Sequence, residues 1–269
     1  MIHPSSIIDP KAELDEGVTV GPLCVIGPRV QIGAGTVLRS HVSIEGDTTL
    51  GRDNEVHPFC VLGMSPQEST SATLARGQRR VGRLEIGDRN VIRQHVSVAI
   101  STTAGCPTRI GHDALIMGHS HIGHDCDIGD RTVITHGVGV SGHVTIEEGA
   151  VLGGQAGVHQ FMRIGKYAMV GGKAGVICDI PPFAKVAGLP PRYLGCNVIG
   201  LKRAQFKTDV ITEIEEALEA LFARPQSLHE RHRALDDIER QTQRAEIYEL
   251  ITFIRESQRG VCAPRALPR

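Results

Sequence analysis

Aromatic side chains are scarce in this chain of 269 residues, which has no tryptophan, three tyrosines and six phenylalanines. A core built around large rings is therefore excluded. Hydrophobic residues still make up 41% of the sequence, so the core must be filled mainly by aliphatic side chains. The length suits one long domain and a smaller second one.

The sequence also lacks a dominant charge, a cysteine framework and a long apolar run. The formal net charge of −1 gives no general footprint for nucleic acid or an anionic membrane. Seven cysteines without Cys-x-x-Cys spacing predict reduced thiols rather than disulfides or a zinc site. No stretch approaches the roughly 18 consecutive apolar residues of a membrane helix, and the N-terminal MIHPSSII has no basic leader. We therefore expect a cytoplasmic protein without an integral membrane segment.

What the chain does have is an aliphatic residue at every sixth position, over residues 2–62, 86–98 and 110–176. Neither the helical period nor the two-residue strand period explains this series. One apolar side chain per six residues is buried only when three short segments close into a triangular coil. The sequence therefore predicts an all-β solenoid, a parallel β-helix with about 18 residues per turn. Glycine often follows the aliphatic residue, which predicts corners with positive φ or close backbone packing.

The same series divides the chain into a solenoid, a connector and a second domain. The solenoid spans residues 1–180, with extruded loops at 63–85 and 99–109, after each of which the six-residue phase resumes. Prolines predict an extended connector at 181–206 without regular pairing. Helical periodicity over 207–269 predicts a small α-helical domain that covers the open end of the solenoid.

Three helices are expected in the second domain. Thr208 is the predicted N-cap of the first, and Ser227 with Glu230 fits a capping box at the start of the second. The third is expected to end before Gly260.

Histidine is abundant, with thirteen in the chain, and three of them lie close together at His119, His121 and His124. These three lack accompanying thiols and a His-Glu-x-x-His pattern, so no metal site is predicted.

The length of the turn gives a different grouping. A turn of about 18 residues stacks His124 over Gly142 and Gln160, with strands about 4.8 Å apart. It also brings His124, His143 and His159 to one face of three successive coils. This face is either a solvated polar ladder, because outward positions of a solenoid must be polar, or a substrate site. Asp125 favours the site, since a carboxylate orients an adjacent imidazole for general-base chemistry.

Five longer motifs stand out: HIGHDC from residue 121, SGHVTIEEGAVLGG from 141, VHQFMRIGKYAMVGG from 158, DIPPF from 179 and GCNVIGLKR from 195. They resemble the UDP-N-acetylglucosamine acyltransferases of lipid A biosynthesis, and the resemblance covers nearly the whole chain. It implies a left-handed parallel β-helix with a helical C-terminal domain. It also implies a homotrimer with active sites between subunits.

The resemblance further implies the transfer of a 3-hydroxyacyl or related acyl chain from acyl carrier protein to the 3-hydroxyl of the nucleotide sugar, without a cofactor. His124 would be the general base, Asp125 would orient it, and the Gly142 N–H would hold the oxyanion. Gly172 matches the position that limits acyl-chain length. Further substrate positions implied by the family or, for Gln160, by the stacking are Gln67, Glu68, His121, His143, His159, Gln160, Asn197 and Arg203.

Acyl carrier protein is acidic, so its docking requires a basic surface near the site. The resemblance places four basic residues suitably: Arg163, Lys166, Lys202 and Arg203. The alternative for each is an ordinary solvated charge.

The departures from the family lie on the acceptor side. Glu68 stands where the family has aspartate, and Thr70 stands where it has a lysine. Ala99-Ile100 and Ile199 replace polar residues. Arginines in the first loop would supply phosphate contacts instead: Arg76, Arg79, Arg80 and Arg83.

These departures leave several functions open. The acceptor is UDP-N-acetylglucosamine, a modified nucleotide sugar, or another small alcohol or amine. A non-catalytic trimeric scaffold and a zinc-dependent prism of the carbonic-anhydrase kind are the alternatives outside this enzyme class.

Overall fold

The computed structural model describes residues 1–67, 82–224 and 227–262. Each turn of the chain contributes one short parallel strand to each of three sheets, which form the sides of a triangular prism. We call these sheets faces 1, 2 and 3, in the order in which the chain enters them. In face 1 the strands are Ile7–Ile8, Val25–Ile26, Ser43–Ile44, Val61–Met64, Ser97–Ala99, His121–Ile122, Gly139–Val140, Gly157–Val158 and Gly175–Val176.

Faces 2 and 3 are built in the same way. The strands of face 2 are Glu13–Leu14, Arg29–Ile32, Asp47–Leu50, Arg83–Ile86, Thr108–Ile110, Asp127–Ile128, Thr145–Ile146 and Arg163–Ile164. The strands of face 3 are Thr19–Val20, Val37–Leu38, Glu55–Val56, Val91–Ile92, Leu115–Ile116, Val133–Ile134, Val151–Leu152, Met169–Val170, Ala184–Ala187 and Arg192–Cys196.

The strand register follows the predicted 18-residue turn. Ile8 pairs with Ile26 in one coil and Ile122 pairs with Val140 in another. Ser97 and His121 are paired although they are 24 residues apart, because the loop 100–107 leaves the prism between them. The predicted loop boundaries 63–85 and 99–109 therefore included residues that belong to strands.

The aliphatic residue at every sixth position points into the prism and fills its core. Ile44, Ile92, Ile122 and Val140, for example, have 0% of their surface exposed. Burial of each such side chain stabilises the fold by about 1.5–3 kcal/mol. The largest fully buried rings lie at the C-terminal end, where the coils meet the helices: Phe183, Tyr193 and Phe222.

Glycines that follow the aliphatic residue pack closely against the next coil. A Cβ atom on Gly123 would lie 2.8 Å from the nitrogen of Gly142, and one on Gly165 would lie 2.4 Å from the nitrogen of Pro182. Positive φ is found two positions further on instead, for example at Asp125, where φ is 58°. Of the two predicted reasons for these glycines, close packing holds at Gly123 and Gly165, while positive φ holds at Gly63, where φ is 81°.

The predicted connector is wrong in one respect, because residues 181–206 contain regular structure. Ala184–Ala187 continues face 3 by pairing in parallel with Met169–Val170, and Arg192–Cys196 pairs with it antiparallel. The prolines lie outside both strands. They precede the first strand or lie in the turn between the two, where they remove no ladder hydrogen bond.

Four helices follow in the part of the chain that the structure describes: α1 (Val198–Arg203), α2 (Thr208–Phe222), α3 (Leu228–Gln241) and α4 (Ala245–Arg255). The capping box of Ser227 and Glu230 is confirmed at the start of α3. The predicted cap at Thr208 is wrong, since Lys207 occupies the N-cap position without a side-chain hydrogen bond. Within the described residues, no helix is long and apolar enough to cross a bilayer.

Residues 257–262 return from the helices to the last coil and bind Asp179, which is 1% exposed. One carboxylate oxygen of Asp179 accepts from the N–H of Arg163 (2.9 Å), and the other accepts from the hydroxyl of Ser257 (2.7 Å). The backbone N–H of Cys262 donates to the carbonyl of Asp179. We call this arrangement the Asp179 clasp.

Candidate active site

The three neighbouring histidines of the sequence are separated by the fold. His121 lies on a strand of face 1. His124 lies on the edge between faces 1 and 2, which we call the His124 edge, and His119 lies on the edge between faces 3 and 1, the His119 edge. Histidines that are close in the sequence therefore do not share one surface of the prism. Residues separated by one 18-residue turn do.

On the His124 edge, two neighbouring residues form a buried acid–base pair. The Nδ1 atom of His124 lies 2.7 Å from Oδ2 of Asp125, and the two side chains are 7% and 10% exposed. With the carboxylate accepting the Nδ1 proton, the Nε2 atom of His124 keeps its lone pair. The arrangement can remove a proton from a bound group.

The loop 100–107 holds Asp125 in place. The backbone N–H of Thr102 donates to Oδ1 of Asp125 (3.0 Å), and the N–H of Asp125 donates to the hydroxyl of Thr108 (2.8 Å). Burial opposes ionisation, but hydrogen bonds from His124 and Thr102 prevail and hold the pKa of Asp125 below its usual range. Asp125 is thus an ionised carboxylate that orients His124.

Gly142 lies directly against the imidazole of His124. A Cβ atom at this position would be 2.5 Å from Cε1 and 2.7 Å from Nε2 of the ring. Among the described residues, the Gly142 N–H donates to no protein acceptor. A residue without a side chain is therefore required here, and its N–H is available beside the proposed base.

A second imidazole approaches the same carboxylate. Nε2 of His143 is 3.5 Å from Oδ2 of Asp125, and its ring lies at 87° to that of His124, with 5.1 Å between centroids. The other contact of His143 is Phe161, whose ring is stacked on it at 4.7 Å and 9°. Phe161 therefore fixes the plane of His143.

A pocket of about 440 Å³ opens on face 1 beside His124. Its floor contains Gly139, Gly157 and Gly175, which are in register beneath His121. Their lack of side chains forms a furrow, and the exposed Ile177 also lines this pocket. The predicted site residues that line this pocket are Gln67, His121, His124, Gly142, His159 and Gln160.

His121 is held by Ser97, whose hydroxyl shares a 2.9 Å hydrogen bond with Nδ1. Burial, followed by the neighbouring His124, lowers the pKa of His121. A neutral imidazole is favoured at this position, and it can accept or donate a hydrogen bond to a ligand.

Other predicted residues lie elsewhere. Gly172 and Arg203 are exposed and do not line this pocket. Asn197 is buried as the N-cap of α1, where its side chain accepts from Gly200 and donates to the carbonyl of Tyr167. Glu68, Thr70 and the arginines at 76, 79 and 80 lie outside the described residues.

The structure also shows where the residues that depart from the family pattern lie. Ala99 and Ile100 are buried, at 1% and 6% exposure, and therefore belong to the core. Ile199 is exposed. Arg83 is paired with Glu85.

Two of the four basic residues are already engaged within the chain. The Nζ atom of Lys166 lies 2.6 Å from Oε1 of Glu249. Arg163 lies 3.8 Å from both Glu147 and Glu256 and stacks on the ring of Phe253. Lys202 and Arg203 are exposed at the end of α1.

Comparison with known proteins finds relatives that match over nearly the whole chain. The chain is 41% identical, over 97% of its length and 98% of the relative, to "Acyl-[acyl-carrier-protein]--UDP-N-acetylglucosamine O-acyltransferase" of Herminiimonas arsenicoxydans. The chain belongs to the UDP-N-acetylglucosamine O-acyltransferase family. Family profiles match residues 179–262 ("Udp N-acetylglucosamine O-acyltransferase; Domain 2") and residues 107–142 ("Bacterial transferase hexapeptide (six repeats)").

Solved structures of the UDP-N-acetylglucosamine O-acyltransferase family have the same fold. The enzyme of Moraxella catarrhalis is 37% identical with a TM-score of 0.86, and the alignment covers 97% of this chain and 98% of the other. The structure from Acinetobacter baumannii is 35% identical with a TM-score of 0.88, covering 97% and 99%. The left-handed parallel β-helix with a small helical C-terminal part is thereby confirmed.

The sequence analysis missed three residues that shape the site: Ser97, Thr102 and Phe161. Ser97 lies one residue before an aliphatic position, in register with His121 but 24 residues before it, so the six-residue phase could have identified it although the 18-residue turn could not. Phe161 is 18 residues after His143 and was accessible by the same arithmetic. Thr102 lies in a loop outside the repeat, and no periodic signal locates it.

Proposed function

We propose that this chain transfers an acyl group from acyl carrier protein to the 3-hydroxyl of UDP-N-acetylglucosamine. The reaction is the one that the names of its full-length relatives describe. The observation that carries the proposal is the buried His124–Asp125 pair beside the Gly142 N–H, at the border of a pocket.

His124 is the general base in this mechanism. Its Nε2 atom takes the proton of the attacking hydroxyl while the hydroxyl oxygen bonds to the thioester carbonyl carbon. The imidazolium is stabilised by Asp125, whose carboxylate is already hydrogen-bonded to Nδ1. When the tetrahedral intermediate collapses, the C–S bond breaks and the proton passes to the departing thiolate. No covalent enzyme intermediate is required.

The N–H of Gly142 stabilises the negative oxygen of that intermediate. It lies beside the imidazole and donates to no acceptor among the described residues, so it is preorganised for a developing charge. Removal of one donor of this kind typically costs about 10²–10³ in kcat.

The remaining pocket residues support substrate binding. The glycine furrow has no side chains in the way and is lined by the exposed Ile177, so it suits an alkyl chain, while His121, His159 and Gln160 offer polar contacts to the sugar. Gly172, Asn197 and Arg203 would contribute from another copy of the chain.

A homotrimer with sites between subunits is part of this proposal. Ile7 and Val25 are in register on face 1 and expose 68% and 47% of their surface, and Leu23 on the adjoining edge exposes 53%. Exposed apolar patches of this kind mark protein–protein interfaces. Light scattering should give three times the chain mass of 29.0 kDa.

The decisive experiment is a mass-spectrometric transfer assay with a panel of acyl carrier protein thioesters and UDP-N-acetylglucosamine. Acylated nucleotide sugar is expected with the native chain and should be lost with His124→Gln. If a folded protein gives no product, the panel is repeated with amino-sugar nucleotides and other small alcohols. Failure with every acceptor contradicts the proposal and favours a binding scaffold.

A further inference from the structure

Asp125 is a carboxylate with 10% of its side chain exposed, and its charge is not neutralised by a permanent cation. No lysine or arginine of the described residues forms an ion pair with it, and its partners are His124 at 2.7 Å and His143 at 3.5 Å. Both of these partners are imidazoles, whose ring nitrogens are common metal ligands. A largely enclosed anion that is flanked by two imidazoles and no permanent cation is favourably placed to accept an added positive charge.

The three ligand atoms also have a suitable arrangement. One ligand atom from each of His124, Asp125 and His143 lies within 4.8 Å of the other two. Two histidines and one carboxylate with a fourth position open are a common donor set for Zn²⁺, with bonds of about 2.0–2.2 Å. Tetrahedral bonds of that length separate ligand atoms by about 3.3 Å. The observed 2.7 and 3.5 Å lie on either side of this value.

The surroundings hold these groups in the required orientation. Thr102 N–H binds the second oxygen of Asp125, and Phe161 stacks on His143. Such outer contacts fix ligand orientation at metal sites. The His143 side chain is 37% exposed, so it can move towards an ion, while His124 and Asp125 stay enclosed.

From these observations we infer that His124, Asp125 and His143 form a site for a divalent transition metal such as Zn²⁺, and that metal binding inhibits the enzyme. The inhibition rests on the proposed role of His124 as base, whereas the binding does not. A metal on Nδ1 of His124 leaves the single proton of the neutral ring on Nε2. That atom then has no lone pair for the substrate hydroxyl, and no net proton is gained or lost.

Co²⁺ serves as the probe because four-coordinate Co²⁺ has intense visible bands that report the donor set. The full-length protein is treated with a chelator and titrated with Co²⁺ in a Cys106→Ser background, since Cys106 is an exposed thiol. One Co²⁺ per chain is expected, without a thiolate charge-transfer band. Zn²⁺ should displace it and should inhibit acyl transfer over the same concentration range.

His119→Gly is the matched control for His143→Gly. Both histidines occupy left-handed corners, with φ of 61° and 59°, where glycine causes no strain, and both are exposed. His143→Gly should weaken Co²⁺ binding by more than about 100-fold, which exceeds the usual loss from an outer-shell change. His119→Gly should bind as the parent does. Asp125→Asn, which also suits a left-handed corner, should weaken binding without unfolding the protein.

Equal Co²⁺ affinity in His143→Gly and His119→Gly, or absence of stoichiometric binding in the parent, overturns the metal site. If Co²⁺ binds as expected but the metal-free protein transfers no acyl group, the metal site stands and the proposed reaction fails.

Discussion

Face 1 is bordered by two edges that both carry histidines at left-handed corners. On the His119 edge, five exposed rings follow one another with centroids 4.6–5.1 Å apart: His41, Phe59, His95, His119 and His136. On the His124 edge, His124 and His143 meet a carboxylate and a pocket. The rings of the first edge contact each other and solvent, whereas those of the second contact a buried charge. The difference shows that burial and a carboxylate partner, rather than the number of histidines, make an imidazole a candidate base.

The largest difference between the edges is expected for His124→Gln and His119→Gln. Loss of a general base costs about 10²–10⁴-fold in rate. His124→Gln should therefore lower kcat by that factor, while His119→Gln should leave it unchanged. Transfer rates of the two purified variants, with circular dichroism to verify folding, test this expectation. Similar rates for both would remove the functional distinction between the edges.

A second difference concerns the backbone beside His124. In Gly142→Ala, the new methyl group would lie 2.5 Å from the imidazole and must displace it. A displacement of about 1 Å at a catalytic group can cost 10²-fold. Gly105→Ala is the control, because a Cβ atom there meets nothing within 4 Å. An active Gly142→Ala enzyme would show that the imidazole does not need its observed position.

Phe161 and Phe59 allow a finer comparison, since each is exposed at a left-handed corner and stacked on histidine. An aromatic pair contributes about 0.5–1.5 kcal/mol beyond its buried area. Phe161→Leu should lower kcat/KM by about two- to tenfold, because His143 loses its support. Phe59→Leu should have no effect on kcat/KM. Steady-state kinetics with saturating acyl donor separates the two, and equal losses would point to a general packing effect.

The smallest expected effect is on stability and belongs to His57, at the start of a corner of the His119 edge. Burial, and then the charge of Arg93, lower the pKa of His57. Its folded pKa is thus below the value of about 6.5 in the unfolded chain. The unfolded state binds the proton first as pH falls, so stability is lost below about pH 6.5. His57→Gln should reduce the fall in Tm between about pH 7 and about pH 5, and an unchanged pH profile would contradict it.

Much of the fold could be predicted because every coil carries the same six-residue pattern. One aliphatic residue in six fixes the core, and the 18-residue turn places Gly142 under His124 without knowledge of the coordinates. The glycine corners were interpreted less well, because sequence does not tell whether a glycine serves φ or close packing. The strands at 184–187 and 192–196 were missed, because the sequence does not distinguish a proline that flanks a strand from one that interrupts it.

The residues that the sequence grouped together all lie in the repeat, although Ser97 and Phe161 follow the repeat too and were missed. His124, Asp125, Gly142 and His143 occupy repeat positions and come together. Thr102 lies in an inserted loop, where no periodic signal marks it, and it hydrogen-bonds Asp125 through its backbone N–H and its side chain. Asn197 is identified by a family motif, yet in the single chain its side chain caps a helix.

The Asp179 clasp has a consequence for the order of events during synthesis. The coils contact mainly their neighbours and can form one after another as the chain leaves the ribosome. Ser257, however, follows Asp179 by 78 residues. Until those residues have been translated, one oxygen of Asp179 has no hydroxyl partner and the last coil remains open to water. The prism can therefore grow from its first turn, but its last coil is closed only after residues 257–262 have been made.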